Sequence, residues 1–430
     1  MFKRPFFVFK KPCLEDQLPM ALTPEPETIP LPATVTLYCP KGFDPYDQQE
    51  PILLKTGERV KTGQKLPIYK DPDAYVISTI TGTVASLSSY KDDFGHAYTA
   101  ISINSVETEE NDGQFSECGQ EPSLETATDF LSLVPGKPPL KVFADPEKSI
   151  DTIVICGVDT DLPVATNQHF VKSKIDVIRN GIQILKKITG VERIVLALPQ
   201  EGVQGLSPIG AEVKAVSTVY PAALPALIMK DILGRVVPAG KSCEEMGVCF
   251  LSAEAVVSIA SAFEEGFIPV QKVLTLIKKD GSRSMIAARI GTPIREVFKM
   301  CNVTLRDEDR ILVGGLMTGS AVYSEDHPVQ PDTDAIIVQD REDLALVSDY
   351  PCINCGECVR ICPVKIPVNM LVRFLEAGEF EEAADQYDLF ACIECGLCSF
   401  VCVSRMPIFQ YIRLAKTELV RSRTAEANNA

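Results

Sequence analysis

The chain has 430 residues, 15 cysteines, no tryptophan and a formal net charge of −16. At roughly 100–200 residues per domain that is two to four domains. With 46% hydrophobic and 23% charged residues the chain can build real cores, which excludes intrinsic disorder and a disulfide miniprotein. The acidic balance argues against nucleic acid as a partner, because phosphate binding needs clustered Lys and Arg.

The opening MFKRPFFVFKKP carries basic residues but too short an apolar stretch for a secretion signal, so the sequence predicts a reducing, cytoplasmic setting. No uncharged apolar run reaches about 18 residues, and no membrane span is expected. Residues 50–90 hold short β-rich runs between glycine turns, PILLKTGERVKTGQKL and then YVISTITGTV, which predicts a small sandwich of hairpins resembling a biotinyl/lipoyl-type barrel sandwich over 30–105. A carrier would need a modifiable lysine in a Met-Lys-Met-like setting, which is absent near Lys70, so this part reads as scaffold.

Residues 105–150 look linker-like at first, and the acidic run Glu107–Asp112 reads as a solvated loop. From about 151 the pattern becomes strand, helix, strand: TIVICG, then Val171, Ile175, Ile178, Ile182 and Leu185 at helical spacing, then RIVLAL. That is a βαβ unit with a parallel sheet, and it assigns 106–232 to a Rossmann-like, flavoprotein-like domain. Between 233 and 345 come GVCFL, a helix through Ala253–Phe263, strands at Gln271–Ile277 and Ser284–Ile290, and a helix opened by Pro293. This reads as an α+β insert of β-grasp (SLBB-like) type, followed by the glycine-rich turn GGLMTG.

The last segment, 346–430, carries the strongest signal. CINCGECVRICP and, after 29 intervening residues, CIECGLCSFVC are two copies of C-x2-C-x2-C-x3-C, the run that holds a [4Fe-4S] cluster through thiolates. The short spacing lets three sulfurs of one loop reach three corners of a cubane, and in two-cluster proteins the fourth cysteine ligates the other cluster. We therefore assign Cys352, Cys355, Cys358 and Cys402 to one cluster and Cys392, Cys395, Cys398 and Cys362 to the second. Structural zinc is the competing use of paired cysteines, but zinc has no need of the x3 outlier in both copies. Between the copies Val368, Leu371, Val372 and Leu375 fall at i, i+3, i+4, i+7. After them Ile408, Tyr411, Ile412, Ala415 and Leu419 form a second stripe. The expected module is an α-helical two-cluster ferredoxin that passes single electrons. The other seven cysteines, Cys13, Cys39, Cys118, Cys156, Cys243, Cys249 and Cys301, read as small core residues. The histidines His96, His169 and His327 lie in separate segments and read as surface or capping residues. Arg413, Lys416, Arg421 and Arg423 make the final helix locally basic, suited to an acidic partner, to headgroups, or simply to the helix dipole.

In this order, GERVKTGQ, LGRVVPAG with MGVCFLSAEAV, RIGTPIREV, GGLMTGSAV with HPVQPDTDAIIV, and CINCGECVRICP with CVSRMPIFQYIRLAKTEL resemble the RnfC family, the C subunits of Rnf electron-transport complexes and relatives of the flavoprotein subunit of respiratory complex I. The resemblance implies FMN and NADH chemistry in the central region and two clusters relaying electrons toward membrane subunits. It implies a peripheral place at the cytoplasmic face of the membrane, with a soluble redox partner such as ferredoxin, cytochrome or NADH. The departures fall at the flavin loop: where the family has G-x-G-G-A-x-F-P-T, this chain has LSLVPGKPPLKVF, with one glycine and three prolines. The acidic E-x-E-P-Y motif appears as Gly157-Val-Asp159-Thr-Asp161-Leu-Pro163, and the glycine-rich start near Lys3-Arg-Pro5 is altered. The sequence leaves FMN open and names no flavin-binding or catalytic residue. A self-sufficient NADH-dependent flavoprotein reductase, for example a corrinoid reductase, is the alternative reading.

Overall fold

The computed structural model describes residues 14–15, 25–41, 51–92, 94–203, 209–344, 347–348 and 350–429, which leaves Cys13 and the Lys3-Arg-Pro5 start outside the description. The chain forms two compact units. The larger spans Leu18–Val216 and Ser242–Glu342; the smaller combines Met1–Gln17, Ser217–Lys241 and Asp343–Ala430.

The larger unit is mixed α/β. Strands Thr34–Pro40, Ala97–Ser105, Gly82–Lys91 and Arg59–Val60 form an antiparallel sheet, accompanied by the pair Lys65–Pro67 and Tyr75–Ile77. Alternation explains the first strand: Val35, Leu37 and Cys39 point inward with Val60, Leu66, Ile68 and Ile103, while the intervening residues are more exposed.

A second sheet has four parallel strands in the spatial order Glu212–Val216, Arg193–Pro199, Thr152–Cys156, Val248–Ser252. Its central strands are buried along most of their length, as expected where helices cover both faces. Two expectations change here. The helical pattern from Val171 to Leu185 is two helices, Thr166–Ser173 and Ile175–Thr189, separated at Lys174. And Val248–Ser252 with helix Ala253–Glu265 belongs to this parallel sheet, not to a separate insert beginning at 233, because the strand pairs in register with Thr152–Cys156.

The third sheet is mixed and six-stranded, in the order Glu27–Thr28, Arg283–Arg289, Gln271–Ile277, Ala335–Gln339, Arg310–Val313, Ser320–Val322. Helix Ile294–Met300 packs on it through Ile294, Val297 and Phe298. The stretch read as linker is ordered structure: helices Gln114–Cys118 and Leu124–Leu131 bury Phe115, Ala127 and Leu131 in the core of the parallel sheet. The acidic run is also tied down, since Glu109 pairs with Arg289 and accepts from Thr62 Oγ1 at 3.0 Å, and Glu110 pairs with Lys61 at 3.1 Å. His169 is buried, not superficial; Cys118 is exposed and Cys243 half-buried, while Cys39, Cys156, Cys249 and Cys301 are core residues.

The smaller unit is helical. Val368–Ala377 buries Val368, Leu371, Val372 and Leu375, and Ile408–Asn429 buries Ile408, Ile412, Ala415 and Leu419 against them. Each large aliphatic side chain removed from water contributes about 1.5–3 kcal/mol, which is what holds the two helices together. Gly378, at φ 77°, ends the first helix in the left-handed conformation that glycine adopts without strain.

Candidate iron-sulfur centres

The two cysteine runs fold as a structural repeat. In each copy the residue before the second cysteine and the glycine after it have positive φ: Asn354 at 57° and Gly356 at 76°, Glu394 at 54° and Gly396 at 70°. Each glycine then starts a short helix, Glu357–Ile361 or Leu397–Phe400, which carries the third cysteine. Three residues past the fourth cysteine the backbone turns left-handed again, at Lys365 (62°) and Arg405 (52°). The loops thereby aim backbone N–H groups at sulfur. Asn354 N lies 3.4 Å from Cys352 Sγ, Glu394 N lies 3.4 Å from Cys392 Sγ, and Met406 N lies 3.5 Å from Cys402 Sγ.

Two recesses result. One, of about 340 Å³, is lined by Cys352, Cys355, Cys358 and Cys402 with Ile353, Val372, Val403 and Met406. The other, of about 360 Å³, is lined by Cys362, Cys392, Cys395 and Cys398 with Ile366, Leu397, Phe409 and Ile412. Each recess thus receives three cysteines from one run and the fourth from the other. Among the described residues no three His, Cys, Asp or Glu side chains converge on a point that could hold one metal ion.

The donor set fits such a group chemically. Burial pushes the Cys358 and Cys395 thiols up to about 11 and raises Cys398 further; Cys392 is raised by burial as well, with Lys416 pulling the other way. Apolar walls of this kind make an unbound thiolate costly and a metal-bound one favourable, because a coordinating metal deprotonates the thiol.

The two recesses differ in their surroundings. Cys395 and Cys398 are buried, and the loop between them and Cys392 is held by groups outside the motif: Tyr220 Oη donates to the Cys395 carbonyl at 2.6 Å, and Lys416 Nζ donates to the Cys392 carbonyl at 2.7 Å while pairing with Glu394 at 2.8 Å. Lys416 stood out in the sequence only as part of a basic helix, and Tyr220 carried no signal. Around the first quartet, Cys352, Cys355 and Cys402 are half-buried, and Tyr350, Ile353 and Val403 are exposed beside them. Ser348 N donates to the Arg405 carbonyl at 3.1 Å and Ser404 Oγ to that of Pro351 at 3.4 Å, which ties the two loops together on that side.

Comparison with known proteins agrees with this geometry. Residues 351–406 match the family described as 4Fe-4S dicluster domain. Over 290 residues, 65% of this chain and 63% of the relative, the sequence is 28% identical to the C subunit of the proton-translocating ferredoxin:NAD(+) oxidoreductase complex of Clostridium ljungdahlii. Over 387 residues, 81% of this chain and 86% of the relative, it is 23% identical to the C subunit of the ion-translocating oxidoreductase complex of Methanosarcina acetivorans. The chain is a relative of these C subunits. A third, from the Na(+)-translocating ferredoxin:NAD(+) oxidoreductase complex of Acetobacterium woodii, is 24% identical over 54% of each chain. This chain therefore spans little more than half to under two thirds of the length of two of these relatives. Among the described residues no helix is long and apolar enough to cross a membrane.

Proposed function

We propose that this chain is the electron-relaying subunit of an Rnf-type ion-translocating oxidoreductase complex, holding two [4Fe-4S] clusters. Cys352, Cys355, Cys358 and Cys402 would hold the first and Cys362, Cys392, Cys395 and Cys398 the second. The observation that carries the reading is the exchange of fourth cysteines between the two runs, which gives each recess a complete quartet. When bound, each cluster supplies a one-electron redox centre.

The protein's own part is to fix and insulate these centres. Backbone N–H groups at Asn354, Glu394 and Met406 stabilise negative charge on sulfur. Tyr220 and Lys416 hold the second loop from outside. The first recess is nearer solvent, which suits exchange with another redox protein. Membrane subunits on one side and a soluble donor or acceptor on the other are the partners this role requires. A peripheral position at the cytoplasmic face of the membrane goes with them. The names of the relatives give the corrinoid-reductase alternative no support. We read the antiparallel strands of 30–105 as a barrel sandwich and the six-stranded sheet as an SLBB-like β-grasp. The parallel sheet between them is the flavoprotein-like part of the frame. Anaerobically reconstituted protein should carry about eight irons per chain with cubane absorption. Colourless, zinc-loaded protein would refute the reading.

A further inference from the structure

The strands of the parallel sheet run 3-2-1-4 across the sheet, counted in chain order, so the order reverses between Thr152–Cys156 and Val248–Ser252. In an open parallel sheet the crevice beyond the carboxyl ends of such neighbouring strands is where a nucleotide or flavin sits, with its phosphate on free amides at a helix N-terminus. Both helix N-termini at this crevice are already served by the protein.

Asp159, just past the first strand, accepts from Asn167 N at 2.7 Å and Gln168 N at 3.3 Å, at the start of helix Thr166–Ser173. Asn167 in turn accepts the Ala253 amide at 3.0 Å, and Ser252 Oγ accepts the Ala255 amide at 3.0 Å, at the start of helix Ala253–Glu265. Glu254, in the first turn of that helix, is buried against the fully buried Lys272 and accepts from Val273 N at 3.0 Å. A phosphate placed here would find the amides of Asn167, Gln168, Ala253 and Ala255 already taken by side chains.

The loop that would have to wrap the ligand is also committed. Gly136, at φ 82°, lies so close to the helix start that a Cβ on it would fall 2.5 Å from Ala255 N and 2.6 Å from Ser252 Oγ. Its own amide is spent on the Pro331 carbonyl at 2.8 Å, and Lys137 N on that of Val134 at 2.8 Å. Pro135, Pro138 and Pro139 have no N–H to offer. Asp161, the other acid after the first strand, is taken by the glycine-rich turn: it accepts from Met317 N at 3.0 Å, Thr318 N at 2.7 Å and Thr318 Oγ1 at 2.6 Å. An open cavity in the same unit meets this loop at Leu133 and Lys137, the latter paired with Asp332, and is otherwise lined by residues such as Tyr38, Tyr90 and His327 and by none of Asp159, Ser252, Ala253 or Glu254.

We propose that the crevice of this sheet is closed by its own side chains to flavin phosphate and dinucleotide alike, and that the chain exchanges single electrons with one-electron redox proteins only. This rests on the reading of the cysteine quartets as cluster sites. In the step implied, a reduced one-electron donor protein is oxidised as one electron passes to the cysteine module, with no hydride and no proton transferred. The residues present do not fit FMN.

The test uses the full chain, anaerobically reconstituted with iron and sulfide, mixed with excess FMN and passed over a desalting column. Bound flavin is read by fluorescence after denaturation, and cluster absorption is followed with NADH, with and without FMN, and then with dithionite as one-electron reductant. The expected result is a flavin-to-chain ratio near zero, no bleaching with NADH and full bleaching with dithionite. Stoichiometric FMN, or bleaching by NADH in its presence, overturns the proposal. Absence of iron would count against the cluster reading alone, because flavin retention is measured on the same protein whether or not iron is bound.

Discussion

Replacing Lys272 with methionine removes the cation that two carboxylates share. Its side chain is fully buried, and Nζ contacts Glu254, Asp334 Oδ1 at 3.0 Å and the Val273 carbonyl at 3.0 Å. Without it Glu254, 1% exposed, keeps only the Val273 amide. Breaking a buried pair from one side costs about 3–5 kcal/mol, because an uncompensated charge stays behind; Asp334, with 37% of its side chain exposed, can turn to water and adds little. Adding Glu254→Gln removes that charge, and the double variant should lose less than about 2 kcal/mol. Hydrogen exchange of peptides covering Ala253–Glu265 and Gln271–Ile277 reads the local opening free energy. Lys272→Met should lower protection there by roughly a hundredfold to several thousandfold, at 1.4 kcal/mol per tenfold. A loss under about tenfold, or a double variant as damaged as the single, would show that the triad does not hold the helix start and would remove a main support for the closed crevice.

Three further outcomes follow from the same geometry. Cys402→Ala should empty the first quartet and Cys362→Ala the second, each leaving about four of eight irons. Adding Cys352→Ala to Cys402→Ala should then cost no more iron, and a fall towards zero in that double variant would contradict the crossed assignment. Gly315→Ala should destabilise the larger unit by about 1–3 kcal/mol in urea unfolding, since a Cβ there would fall 1.9 Å from Asp161 Cγ; an unchanged midpoint would mean that Asp161 is free to move. Burial pushes the Asp159 carboxyl up to about 6 from 3.8, against the pull of the Asn167 and Gln168 amides. The folded state then holds this proton to a higher pH than the unfolded chain, so the group's contribution to stability should fall as pH rises from about 4 to 6 and level off above. Asp159→Asn should remove that slope, and a slope unchanged in the variant would assign it to another group.

The cysteine module was legible in the sequence because its chemistry is local. Two tight loops and two apolar stripes mark the module, and Val368, Leu371, Val372 and Leu375 are buried as their spacing requires. What escaped is non-local. Nothing in GVCFLS marks it as the fourth strand of a sheet begun a hundred residues earlier, because a short apolar run fits either a parallel sheet or a β-grasp. The segment Ser217–Lys241 belongs with the cysteines through contacts such as Tyr220 to Cys395, and a single hydrogen bond across 175 residues has no periodicity to read. The reading of 105–150 as linker failed because its Ser, Glu and Pro content masked Phe115, Ala127 and Leu131, the residues that anchor it. At the flavin loop the substitutions were visible as departures. Only the structure shows where that loop's remaining amides point: Gly136 N donates to the Pro331 carbonyl and Lys137 N to that of Val134.

The central claim is most directly tested by iron and acid-labile sulfide analysis of the anaerobically reconstituted full chain, combined with low-temperature EPR after dithionite reduction. The expected result is about eight irons and eight sulfides per chain, with signals from two neighbouring one-electron centres. About two zinc ions with no sulfide, or a single cluster with one quartet unused, would contradict it.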